Sequence, residues 1–266
     1  MPEGDTLFQT AAALRPLLLG RPIVAARARV PGPMIDKVIG ASVTEVETLG
    51  KHLVLHFDNG LALHTHLRMR GAWHRYAPGE RWRKPPSQAR VVLEVADHVV
   101  VLFNAPVAEL VRERVLETHP GLTRLGPDLL APEFDAAEAL VRLRARAEVP
   151  LGEVLLDQQA LAGIGNVFKS EILFVERLDP WTRVGDVDDA GLTRLLATAE
   201  RLLRENAATG AGRRTTSADV AGRLWVYGRV GRPCLRCRRP IQARRQGRDN
   251  RLTYWCPTCQ PPAAPR

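Results

Sequence analysis

The chain is predicted to be an α+β protein. It should open with a helix and a β-rich first half, continue as a helical second half, and end in a metal-clamped β-hairpin. Three observations predict this. Short apolar and β-branched runs recur at close spacing before Pro106. Apolar residues at helical spacing dominate the later chain, and all four cysteines fall between Cys234 and Cys259. With 266 residues, 45% of them apolar, the chain can bury one or two cores.

Taken in order, Asp5 or Thr6 caps a first helix that runs to about Leu19 and is closed by Gly20 and Pro22, with Pro16 inside it predicting a kink or an early stop. Strands are expected over 23–30, 43–48, 52–57, 61–66, 90–95 and 99–103, and Asp58-Asn59-Gly60 joins two of them as a hairpin turn. So many short strands predict a β-sandwich or barrel. After Pro106 the pattern changes. Pro127, Pro132 and the acidic stretch 133–138 predict a linker, and the clearest helix covers 189–208. Its stripe of Leu192, Leu195, Leu196, Ala199, Leu202 and Leu203 is core, with Gly210 beyond its end. Between these, 155–173 reads as two apolar helical segments joined by the turn Gly163-Ile164-Gly165-Asn166. Amides at such a turn can cradle a phosphate, although a plain structural turn has the same composition.

The cysteines form two Cys-x-x-Cys pairs, Cys234/Cys237 and Cys256/Cys259, with eighteen residues between them. This is tetrathiolate zinc spacing, and a closed four-sulfur site is structural. Residues 240–244 and 252–255 read as the two strands of a hairpin folded by the metal. From Tyr227 to Arg251 there are nine arginines against a single acid, Asp249. The whole chain carries 38 Lys and Arg against 29 Asp and Glu, a formal charge of +9 that favours a polyanionic partner. No apolar run is long enough to span a membrane, and the acidic opening Pro2-Glu3-Gly4-Asp5 lacks signal-peptide character. The expected location is cytoplasmic and nucleoid-associated.

The opening Pro2-Glu3-Gly4, Gly50-Lys51-His52-Leu53, the Gly163-Ile164-Gly165-Asn166 turn and the terminal zinc hairpin occur here in the order found in the bifunctional DNA glycosylases. Over nearly its whole length the chain resembles the formamidopyrimidine-DNA glycosylase and endonuclease VIII family. The resemblance implies a β-sandwich (1–125), a helix–two-turn–helix domain (126–225) and a zinc finger (226–262) acting as a monomer on damaged DNA. It implies Pro2 as nucleophile once Met1 is removed. An α-amine has a pKa of about 7.7–8.0, leaving roughly a tenth unprotonated at neutral pH, and a secondary amine yields an iminium that stays charged. Glu3 is implied as general acid/base, Lys51 as proton donor in β-elimination and Arg251 as the hairpin arginine that supports δ-elimination.

DNA contacts implied by the same resemblance are Asn166 to phosphate, Arg124 in the segment 119–128, and the void-filling group Arg68, Met69 and Arg70. Competing readings are an ordinary strand-end lysine for Lys51, a core residue for Met69 and an ion pair with Asp128 or Glu133 for Arg124. The Pro2-Glu3-Gly4-Asp5-Thr6 opening is closer to endonuclease VIII. The segment Asn104-Ala105-Pro106-Val107-Ala108-Glu109-Leu110 lacks the Arg and Phe with which the formamidopyrimidine branch wedges the opposite base. Leu67-x-Met69 leans the other way, and Arg238 replaces the glycine usual after the second zinc cysteine. Excision of oxidised pyrimidines is expected, with oxidised-purine excision and non-catalytic damage binding as the alternatives.

Overall fold

A computed structural model describes residues 2–209, 214–216 and 224–262. The chain divides into two compact units, Met1–Thr123 and Arg124–Arg266.

The first unit is a β-sandwich with a helix against it. Helix α1 spans Gly4–Leu18, and Glu3, not Asp5 or Thr6, is its cap residue; the Glu3 carbonyl accepts from the Thr6 and Leu7 amides. Pro16 does not end the helix early, because it lies in the last turn. Leu7, Ala11, Leu14 and Leu18 form the buried stripe.

Eight strands follow: β1 (Ala25–Ala28), β2 (Val43–Leu49), β3 (His52–Phe57), β4 (Leu61–His66), β5 (Ala72–Tyr76), β6 (Ala89–Val95), β7 (His98–Phe103) and β8 (Val107–Arg112). Of these, β5 and β8 were not expected, and β8 corrects the reading that strands end at Pro106. Two antiparallel sheets result, ordered β2-β3-β4-β8 and β1-β6-β7-β5. The alternation of side chains along a strand fixes which residues fill the space between the sheets. Leu53, Leu55 and Leu63 from one sheet meet Val91, Leu93, Val100 and Leu102 from the other. The intervening residues face outward, and on the second sheet Val92, Val99, Val101 and Phe103 form a smaller outer cluster with Tyr76. A short helix, α2 (Glu113–Leu116), follows β8.

The second unit holds α3 (Ala136–Arg144), α4 (Leu151–Val154), α5 (Asn166–Val175) and α6 (Asp189–Ala208), followed by the hairpin of β9 (Gln242–Gln246) and β10 (Arg251–Trp255). The acidic stretch expected as linker instead begins α3, with the Asp135 carboxylate accepting from the Glu138 amide at 2.8 Å. Helix α6 has its predicted bounds and is capped by Asp188; Gly210 lies outside the described residues. The first of the two helical segments expected within 155–173 is absent: 155–162 form tight turns after the short α4, and only the second segment is a helix, α5. Leu155, Leu161, Ile164, Phe168 and Ile172 pack with the α6 stripe into one core. A second core joins Phe174, Trp225 and Val226 to Ile241, Cys234 and Cys256 of the finger. Among the described residues, no helix is long and apolar enough to cross a membrane.

Candidate catalytic residues and metal centre

In the first unit, Pro2 is half-buried and Glu3 fully buried at the start of α1. The Glu3 side chain makes no capping bond to the helix it opens. Lys51 sits at the tip of the β2–β3 hairpin, in a two-residue turn flanked by the Leu49–His52 pair. Gly50 supplies the positive φ of 57° that so tight a turn demands. The turn that follows β4 carries Arg68, Met69 and Arg70. It closes through the Gly71 amide donating to the Leu67 carbonyl at 2.8 Å, and a Cβ on Gly71 would meet that carbonyl oxygen at 2.5 Å. Arg68 is held at φ 50°. Met69 is 58% exposed and is not a core residue.

The outer face of the β2-β3-β4-β8 sheet carries a histidine cluster that sequence reading missed. His52 pairs with His66, and His64 with Glu109, in the strand register. Hydrogen bonds fix the tautomers in turn. The Gly121 amide donates to His119 Nδ1 at 3.1 Å, leaving His119 Nε2–H to donate to Glu109 at 3.2 Å. His64 Nδ1–H donates to the same Glu109 oxygen at 3.2 Å, so its Nε2 accepts from His52 Nδ1–H at 2.8 Å. The ligand atoms of His64, Glu109 and His119 lie within 4.8 Å of one another. The Gly121 bond nevertheless keeps a proton on the nitrogen a metal would need, so the cluster reads as a hydrogen-bonded network. Burial first, then the charge of neighbouring histidines, lowers His52 to about 3. Burial, then Arg68 and Lys51, lowers His66 to about 4, which also puts the Lys51 charge beside His66. These two rings are neutral at neutral pH.

In the second unit, Gly163 adopts φ 101°, and Gln158 braces the turn by donating to the Ile164 carbonyl and accepting from the Gly163 amide. Gly165 is the cap residue of α5, and Asn166 is its first residue. Asn166 Nδ2 donates to the Leu252 carbonyl at 2.8 Å, which ties the helix to the hairpin beside Arg251. Two further α5 residues were missed by sequence reading. Lys169, fully buried, donates to Thr253 at 2.7 Å. Glu171, also fully buried, accepts from the amides of Trp225, Val226 and Tyr227 and from the Thr216 hydroxyl. Burial pushes the Glu171 carboxyl upward, and these donors oppose the shift.

Arg251 opens β10 opposite Gln246, just after the turn at Gly247–Asn250. Arg244 and Arg245 are engaged elsewhere, one over the Trp181 ring and the other on the Asn250 carbonyl. Arg124 is exposed, and no ion pair joins it to Asp128 or Glu133 among the described residues; an Asp128 oxygen accepts from the Leu130 amide.

The four cysteine sulfurs lie within 4.8 Å of one another, with Cys234–Cys259 at 3.9 Å and Cys237–Cys256 at 3.4 Å. The edge of a tetrahedron with Zn–S bonds of about 2.3 Å is about 3.8 Å, so the four sulfurs fit one zinc ion. Arg238 takes φ 66° after the second cysteine, so an arginine stands here in a glycine conformation and the knuckle turn is kept.

Three family profiles match in chain order: the formamidopyrimidine-DNA glycosylase N-terminal domain over 1–107, its helix–two-turn–helix domain over 125–218, and the zinc finger found in these glycosylases and isoleucyl-tRNA synthetase over 231–262. The chain is 44% identical to a Streptomyces coelicolor protein named "Probable endonuclease 8 2", covering 100% of this chain and 96% of that protein. It is 39% identical to a Mycolicibacterium smegmatis protein named "DNA-(apurinic or apyrimidinic site) lyase Nei2", covering 98% and 99%. A Lactococcus lactis formamidopyrimidine glycosylase, solved with DNA containing N7-benzyl-Fapy-dG, has the same fold, with a TM-score of 0.83 at 21% identity over 98% of this chain and 100% of that one. With a zinc-fitting cysteine set at one end, a buried Glu3 behind Pro2 at the other, and relatives matched along their full length, the chain belongs to the formamidopyrimidine-DNA glycosylase and endonuclease VIII family of DNA-repair glycosylases with abasic-site lyase activity.

Proposed function

We propose that the chain excises oxidised pyrimidines from damaged DNA and then cleaves the strand by β,δ-elimination. The observation that carries the pyrimidine reading is the β7–β8 connection. Only Asn104, Ala105 and Pro106 separate those strands, which leaves no Arg or Phe there to wedge the base opposite a lesion. The relatives named as endonuclease 8 support the same branch.

In the proposed mechanism the unprotonated Pro2 amine attacks the sugar carbon, the glycosidic bond breaks, and the base leaves with the bonding pair and a proton. Glu3 handles the protons of base loss and sugar opening, as a carboxylate held out of bulk water beside the nucleophile. The charged iminium then accepts electrons as the C2′ proton is lost and the 3′ phosphate departs. Lys51, projected by the hairpin tip, serves that step, and Arg251 holds phosphate for expulsion of the second phosphate. Exposed Met69, flanked by Arg68 and Arg70, fills the void left by the flipped nucleotide. Arg124 and the turn at Asn166 contact the backbone. The segments 1–125, 126–225 and 226–262 act together as a monomer in the nucleoid-associated cytoplasm. The zinc holds the finger's fold and takes no part in the chemistry.

The test is borohydride trapping on duplexes carrying thymine glycol or 8-oxoguanine. The protein with a free Pro2 should trap on the pyrimidine lesion at the higher rate, and a form retaining Met1 should trap on neither. Faster trapping on 8-oxoguanine overturns the pyrimidine reading. Trapping by the Met1-retaining form overturns the role of Pro2.

A further inference from the structure

The β1-β6-β7-β5 sheet turns a second face outward, on the other side of the sandwich from His52, His64 and His66. Against this face the loop between β5 and β6 builds a cavity of about 960 Å³. Six cations line it: Arg27, Arg29, Arg81, Arg83, Lys84 and Arg90. Arg27 pairs with Glu94. Glu80 is the one carboxylate among the lining residues, and its oxygen accepts from the Ala77 amide at 2.9 Å, closing the loop. The other five cations form no ion pair among the described residues.

The cavity is rigidly built. Tyr76 stacks on Trp82 at 6.0 Å, Phe103 meets Trp82 edge-on at 5.6 Å, and the Tyr76 hydroxyl accepts from the Arg83 amide at 3.1 Å. Arg29 and Arg90 are fixed through the Ser87 and Pro31 carbonyls. Arg90 Nε is nevertheless buried with no partner among the described residues, a donor that lacks its acceptor.

We propose that this cavity is a second nucleic-acid site, which takes an unpaired nucleotide of a single strand. The rim of cations matches the phosphate chain, and Trp82 with its apolar neighbours matches a base, which would have to displace the Arg27 guanidinium that lies over the ring at 5.8 Å or insert beside it. A duplex hides its base faces and presents a convex rod, whereas one unstacked nucleotide suits a concave site of this size. The site is separate from the lesion-processing residues and does not depend on the chemistry proposed for them.

The test uses a fluorescein-labelled dodecathymidylate and the zinc-loaded full chain, with anisotropy read in the presence of a saturating unlabelled duplex that contains a tetrahydrofuran abasic analogue. The labelled strand should bind while the duplex is bound. The triple variant Arg81→Ala, Arg83→Ala, Lys84→Ala should weaken it by about ten-fold or more, with duplex affinity unchanged. A strand of the same length built of abasic phosphate units should also bind about ten-fold more weakly. Displacement of the labelled strand by the duplex, undiminished binding by the triple variant, equal binding of the base-free strand, or tighter binding of an acidic peptide of equal charge each overturns the proposal. Duplex binding on the same samples reports separately on the lesion site. If the triple variant does not fold, Arg29→Glu, at an exposed position, should give the same loss.

Discussion

Glu171→Gln should unfasten the stretch that leads into the finger. The carboxylate is fully buried, and each oxygen serves two donors: Val226 and Tyr227 amides on one, the Trp225 amide and Thr216 hydroxyl on the other. Glutamine keeps the volume but exchanges one acceptor for an NH2. Its better orientation puts that group toward Thr216, whose hydroxyl can turn and accept, and leaves the Trp225 amide facing a donor. One orphaned buried amide costs about 1–3 kcal/mol, and exchanging charge-assisted for neutral bonds at the rest adds about 1 kcal/mol, giving a loss of about 2–4 kcal/mol. Chemical denaturation followed by Trp fluorescence measures the loss, and amide hydrogen exchange locates it. Protection should fall first at 225–227, ahead of the α6 core. A loss below about 0.5 kcal/mol, or unchanged protection at those amides, would refute the argument, because it would mean that these donors do not depend on the carboxylate.

Arg251→Ala should lower the slope of log affinity against log salt by about one unit and shift the strand product from δ- toward β-elimination, read on a gel that resolves both ends. Cys234→Ser should lose zinc and weaken duplex binding while the first unit's thermal transition persists; full affinity in metal-free protein contradicts this. His56 lies between Glu47 and Glu113, and the hydrogen bond its ring donates to the Glu47 carboxylate, above all, raises it from its ordinary value near 6.5. A raised folded pKa stabilises fully below that ordinary value and loses its contribution as pH rises through the folded one. His56→Gln should therefore flatten stability against pH on the alkaline side of 6.5, and an unchanged profile would deny the pairing.

Most of the architecture was legible because its signals are local. Turn residues and β-branched runs marked six strands, helical spacing marked α6, and cysteine spacing marked the metal centre. What escaped reading was set by distant partners. β8 carries one glutamate and an arginine after a proline, and it is a strand because Leu61–His66 offers it a complete ladder. Lys169 and Glu171 interrupt an apolar helix, and nothing in the neighbouring sequence marks them as buried. Their partners, Thr253 and the amides at 225–227, lie more than fifty residues downstream. The histidine network is gathered from β3, β4, β8 and the segment after α2, so no single window of sequence contains it. The zinc ligands, by contrast, needed only their spacing.

The bond from Asn166 Nδ2 to the Leu252 carbonyl has a mechanical consequence. It joins the first residue of α5 to the residue after Arg251, while Lys169 and Glu171 secure the same helix to the finger one turn further on. The helix start and the hairpin tip therefore behave as the two jaws of a locked caliper. A locked gauge does not stretch to suit its object. If both jaws grip phosphates, the spacing of the backbone must conform to the protein, and the DNA bears the cost of bending. Sites already softened by a damaged or missing base would then conform at the least cost, so a stiff grip on the backbone would become a means of telling damaged duplex from intact.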